Sequence, residues 1–191
     1  MDYRRVAWTL VLLLVVPGVA GANEDLGLTT SSAAALLLPI RNARVPIAGV
    51  LSGGQPTEEQ FEAAAAAGFR TVINLRTEKE PGFEWEAELV EELGMRYVLI
   101  PVAGAQGLTQ KNVKRLDRAL GKARDLGPVL LHCGSGNRIG AMLALRAAWI
   151  EDQSPEDALA YGRASGLTGL EQTTREILGL SKPAAEDAPR E

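Results

Sequence analysis

From Val50 onward the apolar positions switch between short continuous runs and helical spacing. Gly49-Val50-Leu51-Ser52 reads as a short strand that ends in Gly53-Gly54-Gln55-Pro56. Thr57 then caps a helix. Glu58 and Glu59 suit its first turn, Gln60 stands at the capping-box position, and an alanine string carries it to Gly68. Arg70 to Leu75 is a β-branched strand, Arg76 to Gly82 a charged loop, and Phe83 to Leu93 an amphipathic helix closed by Gly94. Arg96 to Val102 predicts a third strand, followed by the loop Ala103 to Leu108. Thr109 begins a helix that reaches about Leu126, and Gly127-Pro128 ends it. Pro128 to Leu131 is a fourth strand. The chain after Asn137 is helical, with a restart at Ser154-Pro155-Glu156, where a cap precedes proline at the first helical position.

Alternation of strand and helix predicts an α/β fold with a mainly parallel, four- to five-stranded central sheet flanked by helices. Ligands of such sheets bind beyond the carboxyl ends of the strands. Three loops share that rim: Arg76 to Gly82, Ala103 to Leu108, and the turn after Leu131. An active site is expected there.

The ends of the chain set its organisation. Arg4 and Arg5 precede an apolar run, Val6 to Val16, that is short for a bilayer span. Pro17-Gly18 breaks it, and Ala20-Gly21-Ala22 has the small-x-small pattern of a cleavage site. Residues 1–22 are therefore expected to be a signal peptide cut after Ala22. That predicts an exported, periplasmic protein with no stable membrane insertion after cleavage. Residues 23–44 form a poorly defined lead-in, 45–180 the domain, and 181–191 a flexible tail. Losing Arg4, Arg5 and Asp2 with the leader takes the net charge from −4 to −5. With no long basic run, nucleic acid is not an expected partner.

The chain has one cysteine and one histidine, and they are adjacent: Leu131-His132-Cys133-Gly134-Ser135-Gly136-Asn137-Arg138-Ile139-Gly140. A lone cysteine has no internal disulfide partner, so in an oxidising compartment it is either a buried bystander or a working thiol. Cys133 falls where a strand ends and a helix begins. Backbone N–H groups converge at such a turn, bind anions and favour a thiolate. Arg138 in that place calls for an anion, which its planar fork suits. His132 is expected to hold the loop in place. Gly134-x-Gly136-x-x-x-Gly140 imitates a dinucleotide fingerprint, but its last gap is one residue too long and it follows the fourth strand instead of the first. One histidine and one cysteine without a spaced carboxylate cluster make no metal site, and no cofactor is expected.

At these residues the chain resembles cysteine-dependent phosphatases of the dual-specificity class, above all the phosphatase-like domain of beta-lactamase-hydrolase-like proteins. The likeness runs from about Val45 to Leu178. It rests on Ser52-Gly53-Gly54-Gln55-Pro56, Thr71-Val72-Ile73-Asn74-Leu75-Arg76, Ile100-Pro101-Val102, and His132-Cys133-x-x-Gly136-x-Arg138-x-Gly140. The resemblance implies a cysteine-phosphatase-like fold acting on a phosphorylated or other oxyanion substrate. Cys133 would be the nucleophile attacking phosphorus. Arg138 and the backbone N–H groups of Gly134, Ser135, Gly136 and Asn137 would hold the equatorial oxygens.

The chain departs from that pattern in three places. Four residues, not five, separate Cys133 from Arg138. Ile139 stands where a serine or threonine helps the thiolate leave. The loop Val102 to Leu108 has no carboxylate to serve as general acid, and Gln106 and Thr109 cannot replace one. Glu78 and Glu80, on the neighbouring loop, are the substitutes to examine, and Arg76 is either a substrate-docking residue or a structural ion-pair partner. The short loop also looks like that of rhodanese-type sulfurtransferases, whose chemistry runs through a cysteine persulfide and needs no such acid. A non-catalytic oxyanion-binding module is the third reading.

Overall fold

The computed structural model describes residues 38–180. The expected signal peptide, the lead-in before residue 38 and the tail from 181 lie outside the described residues. Five strands form one sheet: β1 (Arg44–Ile47), β2 (Val50–Gly53), β3 (Thr71–Asn74), β4 (Arg96–Leu99) and β5 (Val129–His132). Their order is β1-β2-β5-β3-β4, with β1 antiparallel to β2 and all other neighbours parallel. The fold is thus the expected α/β architecture.

β5 is central and buried along its length, which accounts for its unbroken apolar run. Side chains alternate across the sheet. Val50, Ile73 and Leu131 face one core layer, whereas Leu51, Val72 and Leu130 face the other. The first layer is closed by α3 (Gln110–Arg124), α4 (Asn137–Trp149) and α5 (Pro155–Ala164), through Val113, Leu116, Met142, Leu143 and Leu159. The second is closed by α1 (Glu58–Ala66) and α2 (Glu86–Glu92), with Phe61 and Val90. A last helix, α6 (Glu171–Ile177), packs against α4 and α5.

The punctuation read from the sequence acts as physical caps. Thr57 Oγ1 accepts from Gln60 N at 3.3 Å while Thr57 N donates to Gln60 Oε1 at 3.0 Å, a complete capping box. Thr109 and Ser154 cap α3 and α5 with their side-chain oxygens, which accept from Asn112 N and Asp157 N, without the reciprocal bond. Several boundaries contract. The strand expected over Arg96 to Val102 ends at Leu99, ahead of Pro101. The helix expected from Phe83 starts at Glu86.

β1 is an addition. Its sequence, Arg-Val-Pro-Ile, contains a proline that no central strand would accept, but β1 is the sheet's edge, where a missing N–H is tolerated. Residues 38–43, assigned to the lead-in, also join the domain: Leu38 and Ile40 are buried in the second layer.

Candidate active site

Cys133 follows directly on β5 and is almost wholly buried. The chain then turns through Gly134, Ser135 and Gly136 into α4. Gly136 is the N-cap of that helix with φ 92°, a left-handed backbone that costs glycine little. This conformation aims the Gly136 N–H back at the cysteine, donating to Cys133 Sγ at 3.1 Å. Asn137 faces away from the sulfur with its side chain. Its Oδ1 accepts from Thr168 N (2.9 Å) and Leu170 N (3.2 Å), tying the loop to the α5–α6 connection.

Arg138 lies in the first turn of α4 and crosses to the strand ends. Its Nη1 and Nη2 each donate to one oxygen of Glu80 at 2.6 Å, and Nη1 also reaches the carbonyls of Leu75 and Val102 at 3.3 Å. The pair lies over Gly134: a Cβ there would stand 3.2 Å from Arg138 Nη2 and 3.6 Å from Glu80 Oε2. Donation to the Glu80 carboxylate, the largest cause, and the nearby Cys133 sulfur push the Arg138 pKa up against the opposing effect of burial. Gly140 serves packing, since a Cβ at that position would collide with the backbone of Leu167 and with Gly162 O, where α4 and α5 meet.

Glu80 corrects a sequence expectation. Donation from Arg138, the largest effect, lowers its pKa from an ordinary 4.5 to about 2. It is therefore ionised at neutral pH with no proton to donate, and its place is to orient the guanidinium. Glu78, on the same loop, is exposed. The pH dependence of the clamp follows. Because the folded-state pKa is depressed, its stabilisation is complete above the unfolded value and is lost as pH falls from about 4.5 towards 2. Wild type should exceed Glu80→Gln in stability at pH 7, and the gap should close on acidification. Urea unfolding of both proteins over a pH series measures it, and a gap constant down to pH 3 would contradict the clamp.

Arg76 also takes the structural alternative. Only 3% exposed, it donates through Nη1 to Gln55 Oε1 (2.5 Å) and Glu86 Oε2 (3.4 Å), and through Nη2 to Pro81 O. Substrate cannot dock on it there. The hub of this cluster is Glu86, fully buried and not anticipated from the sequence. It accepts from Asn74 Nδ2 and Gln55 Nε2, each at 2.7 Å, and lies 2.9 Å from His132 Nε2, close but not aligned as a hydrogen bond. Burial pushes the Glu86 carboxyl up, but His132, Gln55 and Tyr97 outweigh it and hold it below the usual range. His132, itself fully buried, sets its ring edge-on to Phe61 at 5.7 Å. One carboxylate thus joins the Gly53–Pro56 turn, the end of β3 and the residue before Cys133. A sequence signal existed: Glu86 shares a helix face with the buried Val90, four residues on.

Among the described residues no group of three or more His, Cys, Asp or Glu is placed to hold a metal, and no helix is long and apolar enough to cross a membrane. A cleft of about 380 Å³ is lined by Ile47, Asp117, Lys122 and Arg146 beside the amino ends of the parallel strands, away from Cys133.

A mainly parallel sheet that delivers a cysteine from its central strand into a glycine turn, with an arginine returning from the next helix, defines the cysteine-phosphatase class of fold. Tk-PTP shares it, with a TM-score of 0.54 and 18% identity over 72% of this chain and 94% of that one. The chain belongs to the family described as DSP-PTPase phosphatase fused to NAD+ kinase, whose model matches residues 43–176. A beta-lactamase hydrolase-like protein of Xylella fastidiosa (strain Temecula1) is 32% identical over 117 residues, 59% of this chain and 26% of that relative. The match thus spans about a quarter of the relative's length. A solved structure from Shewanella putrefaciens CN-32, described as a candidate phosphatase, has a TM-score of 0.58 at 26% identity, covering 74% of this chain and 93% of that one.

Proposed function

We propose that this protein hydrolyses phosphate monoesters through a phosphocysteine intermediate. The observation that carries this reading is the Gly136 N–H on Cys133 Sγ beside an Arg138 guanidinium fixed by Glu80. In the first step the Cys133 thiolate attacks phosphorus, and the bond to the leaving oxygen breaks with its electron pair. Water then attacks phosphorus, the P–S bond breaks, and inorganic phosphate leaves a regenerated thiolate. Arg138 and the N–H groups of Gly134 to Asn137 hold the equatorial oxygens, where donors placed in advance lower the barrier most.

The leaving oxygen finds no proton donor in the Val102–Leu108 loop, and Glu80 is ionised. Activity should therefore depend steeply on leaving-group acidity. The reduced protein should turn over p-nitrophenyl phosphate roughly 10²–10⁴ times faster than O-phosphoserine, the range that general-acid catalysis ordinarily spans. Comparable rates would show that an acid has been overlooked. No turnover of p-nitrophenyl phosphate by folded protein would sink the phosphatase reading. A one-sulfur mass gain on Cys133 after thiosulfate treatment would then move the assignment to sulfur transfer.

A further inference from the structure

Residues 38–43 reach back to the cysteine loop. Buried Leu38 and Ile40 anchor the segment in the second core layer. Asn42 adopts φ 57°, uncommon for a residue with a Cβ, and its Nδ2 donates to Ser135 O at 3.0 Å. One residue earlier, Arg41 O accepts from Gly54 N at 2.7 Å and Arg41 Nη2 donates to Gly134 O at 3.3 Å. The glycine pair makes this approach possible. A Cβ on Gly53 would lie 2.6 Å from Ile40 Cγ2 and 3.0 Å from Arg41 O. A guanidinium is thereby held against the carbonyl of the residue that follows the nucleophile.

Its charge is uncompensated. Arg76 and Arg138 each have carboxylate partners, whereas Arg41 is exposed and forms no ion pair among the described residues. The sheet order also makes the site lopsided. β2 and the 38–43 segment lie on one side of β5, with β3 and β4 on the other, where the loop after β4 is uncharged from Val102 to Leu108.

We propose that Arg41 is a specificity residue that binds a second anionic group, so that the preferred substrates carry a carboxylate or further phosphate close to the scissile phosphate. The inference rests on the phosphatase reading and names its substrate class. A surface-level ion contact of this kind is worth about 1 kcal/mol, or roughly a 5-fold preference.

The test uses two phosphotyrosyl tripeptides that differ only in a flanking Glu or Gln, so their leaving groups are the same. Wild type should favour the Glu peptide about 5-fold in kcat/KM, through KM. Arg41→Gln keeps a side-chain amide able to donate to Gly134 O but removes the charge. It should abolish the preference, with kcat/KM falling more for the Glu peptide than for p-nitrophenyl phosphate. Lys122→Gln, which removes the same charge at the far cleft, should keep the preference. Equal use of both peptides by wild type, a preference surviving in Arg41→Gln, or a parallel fall with p-nitrophenyl phosphate would each overturn the assignment. If wild type hydrolyses none of the three, the phosphatase reading fails separately. Calorimetric binding of the two peptides to Cys133→Ser then decides: selectivity lost on adding Arg41→Gln supports Arg41, and equal or absent binding overturns it.

Discussion

Cys133→Ser should turn over p-nitrophenyl phosphate at no measurable rate while still folding and binding inorganic phosphate. The sulfur is the only part of the loop the substitution changes, and a serine hydroxyl at that position has no neighbouring base to ionise it. The loop N–H groups and Arg138, to which the proposal assigns anion binding, remain. Arg138→Ala tests those elements in turn. It removes a charged, two-pronged donor from the place where the proposed mechanism puts the equatorial oxygens, and arginines in that role in phosphoryl transfer contribute roughly 10³–10⁵ in rate. A loss of at least 10³ in kcat is expected. Arg138→Lys should recover little of it, because a lysine ammonium cannot grip Glu80 with two parallel bonds at 2.6 Å and span the Leu75 and Val102 carbonyls as well. Stopped assays with phosphate quantitation would settle both cases. Turnover by Cys133→Ser within 10-fold of wild type, or about that of Arg138→Ala, would place the chemistry elsewhere.

The second large effect concerns folding. Glu86→Ala should destabilise the domain by roughly 3–5 kcal/mol, the cost of leaving a buried charge without its partner. Three losses coincide. Arg76 loses the carboxylate at 3.4 Å and keeps only Glu80 Oε2, 3.6 Å from its Nε. Asn74 and Gln55 each lose an acceptor at 2.7 Å, Asn74 at a buried position and Gln55 at a half-buried one. His132 loses its contact at 2.9 Å directly before Cys133. The melting temperature should fall by roughly 10 °C, since each kcal/mol corresponds to about 2–4 °C at this chain length. Glu86→Gln preserves shape and one acceptor oxygen, so its loss should be smaller. Thermal and urea unfolding of both variants give the comparison. A shift below about 2 °C for Glu86→Ala would mean that Arg76 re-pairs fully with Glu80.

The cluster also shows why part of this site was hidden in the chain. The Cys133–Arg138 loop announced itself because nucleophile, glycines and arginine are consecutive, and the strand before them has an unmistakable apolar run. Glu86 lies 47 residues upstream of Cys133 on a helix whose charges look solvated, and only packing turns that one position inward. Arg41 and Asn42 are similar. They precede the regular pattern, and nothing local indicates that Gly53 and Gly54 leave room for them beside Gly134 and Ser135. Glu80 was singled out for its position on the rim, but its role depends on a partner 58 residues away.

By itself the sequence determined the α/β alternation, the caps at Thr57, Thr109 and Ser154, the short strand before Cys133, and the loop holding Cys133 and Arg138. These follow from period, capping chemistry and adjacency, all of which act over a few residues. The tertiary structure alone decided which ionisable groups pair. Glu80 became a clamp instead of an acid, Arg76 a buried support instead of a docking point, and Glu86 the hub behind Cys133. Protonation and charge depend on burial and on partners brought within about 3 Å from distant parts of the chain, and only the assembled sheet brings them together.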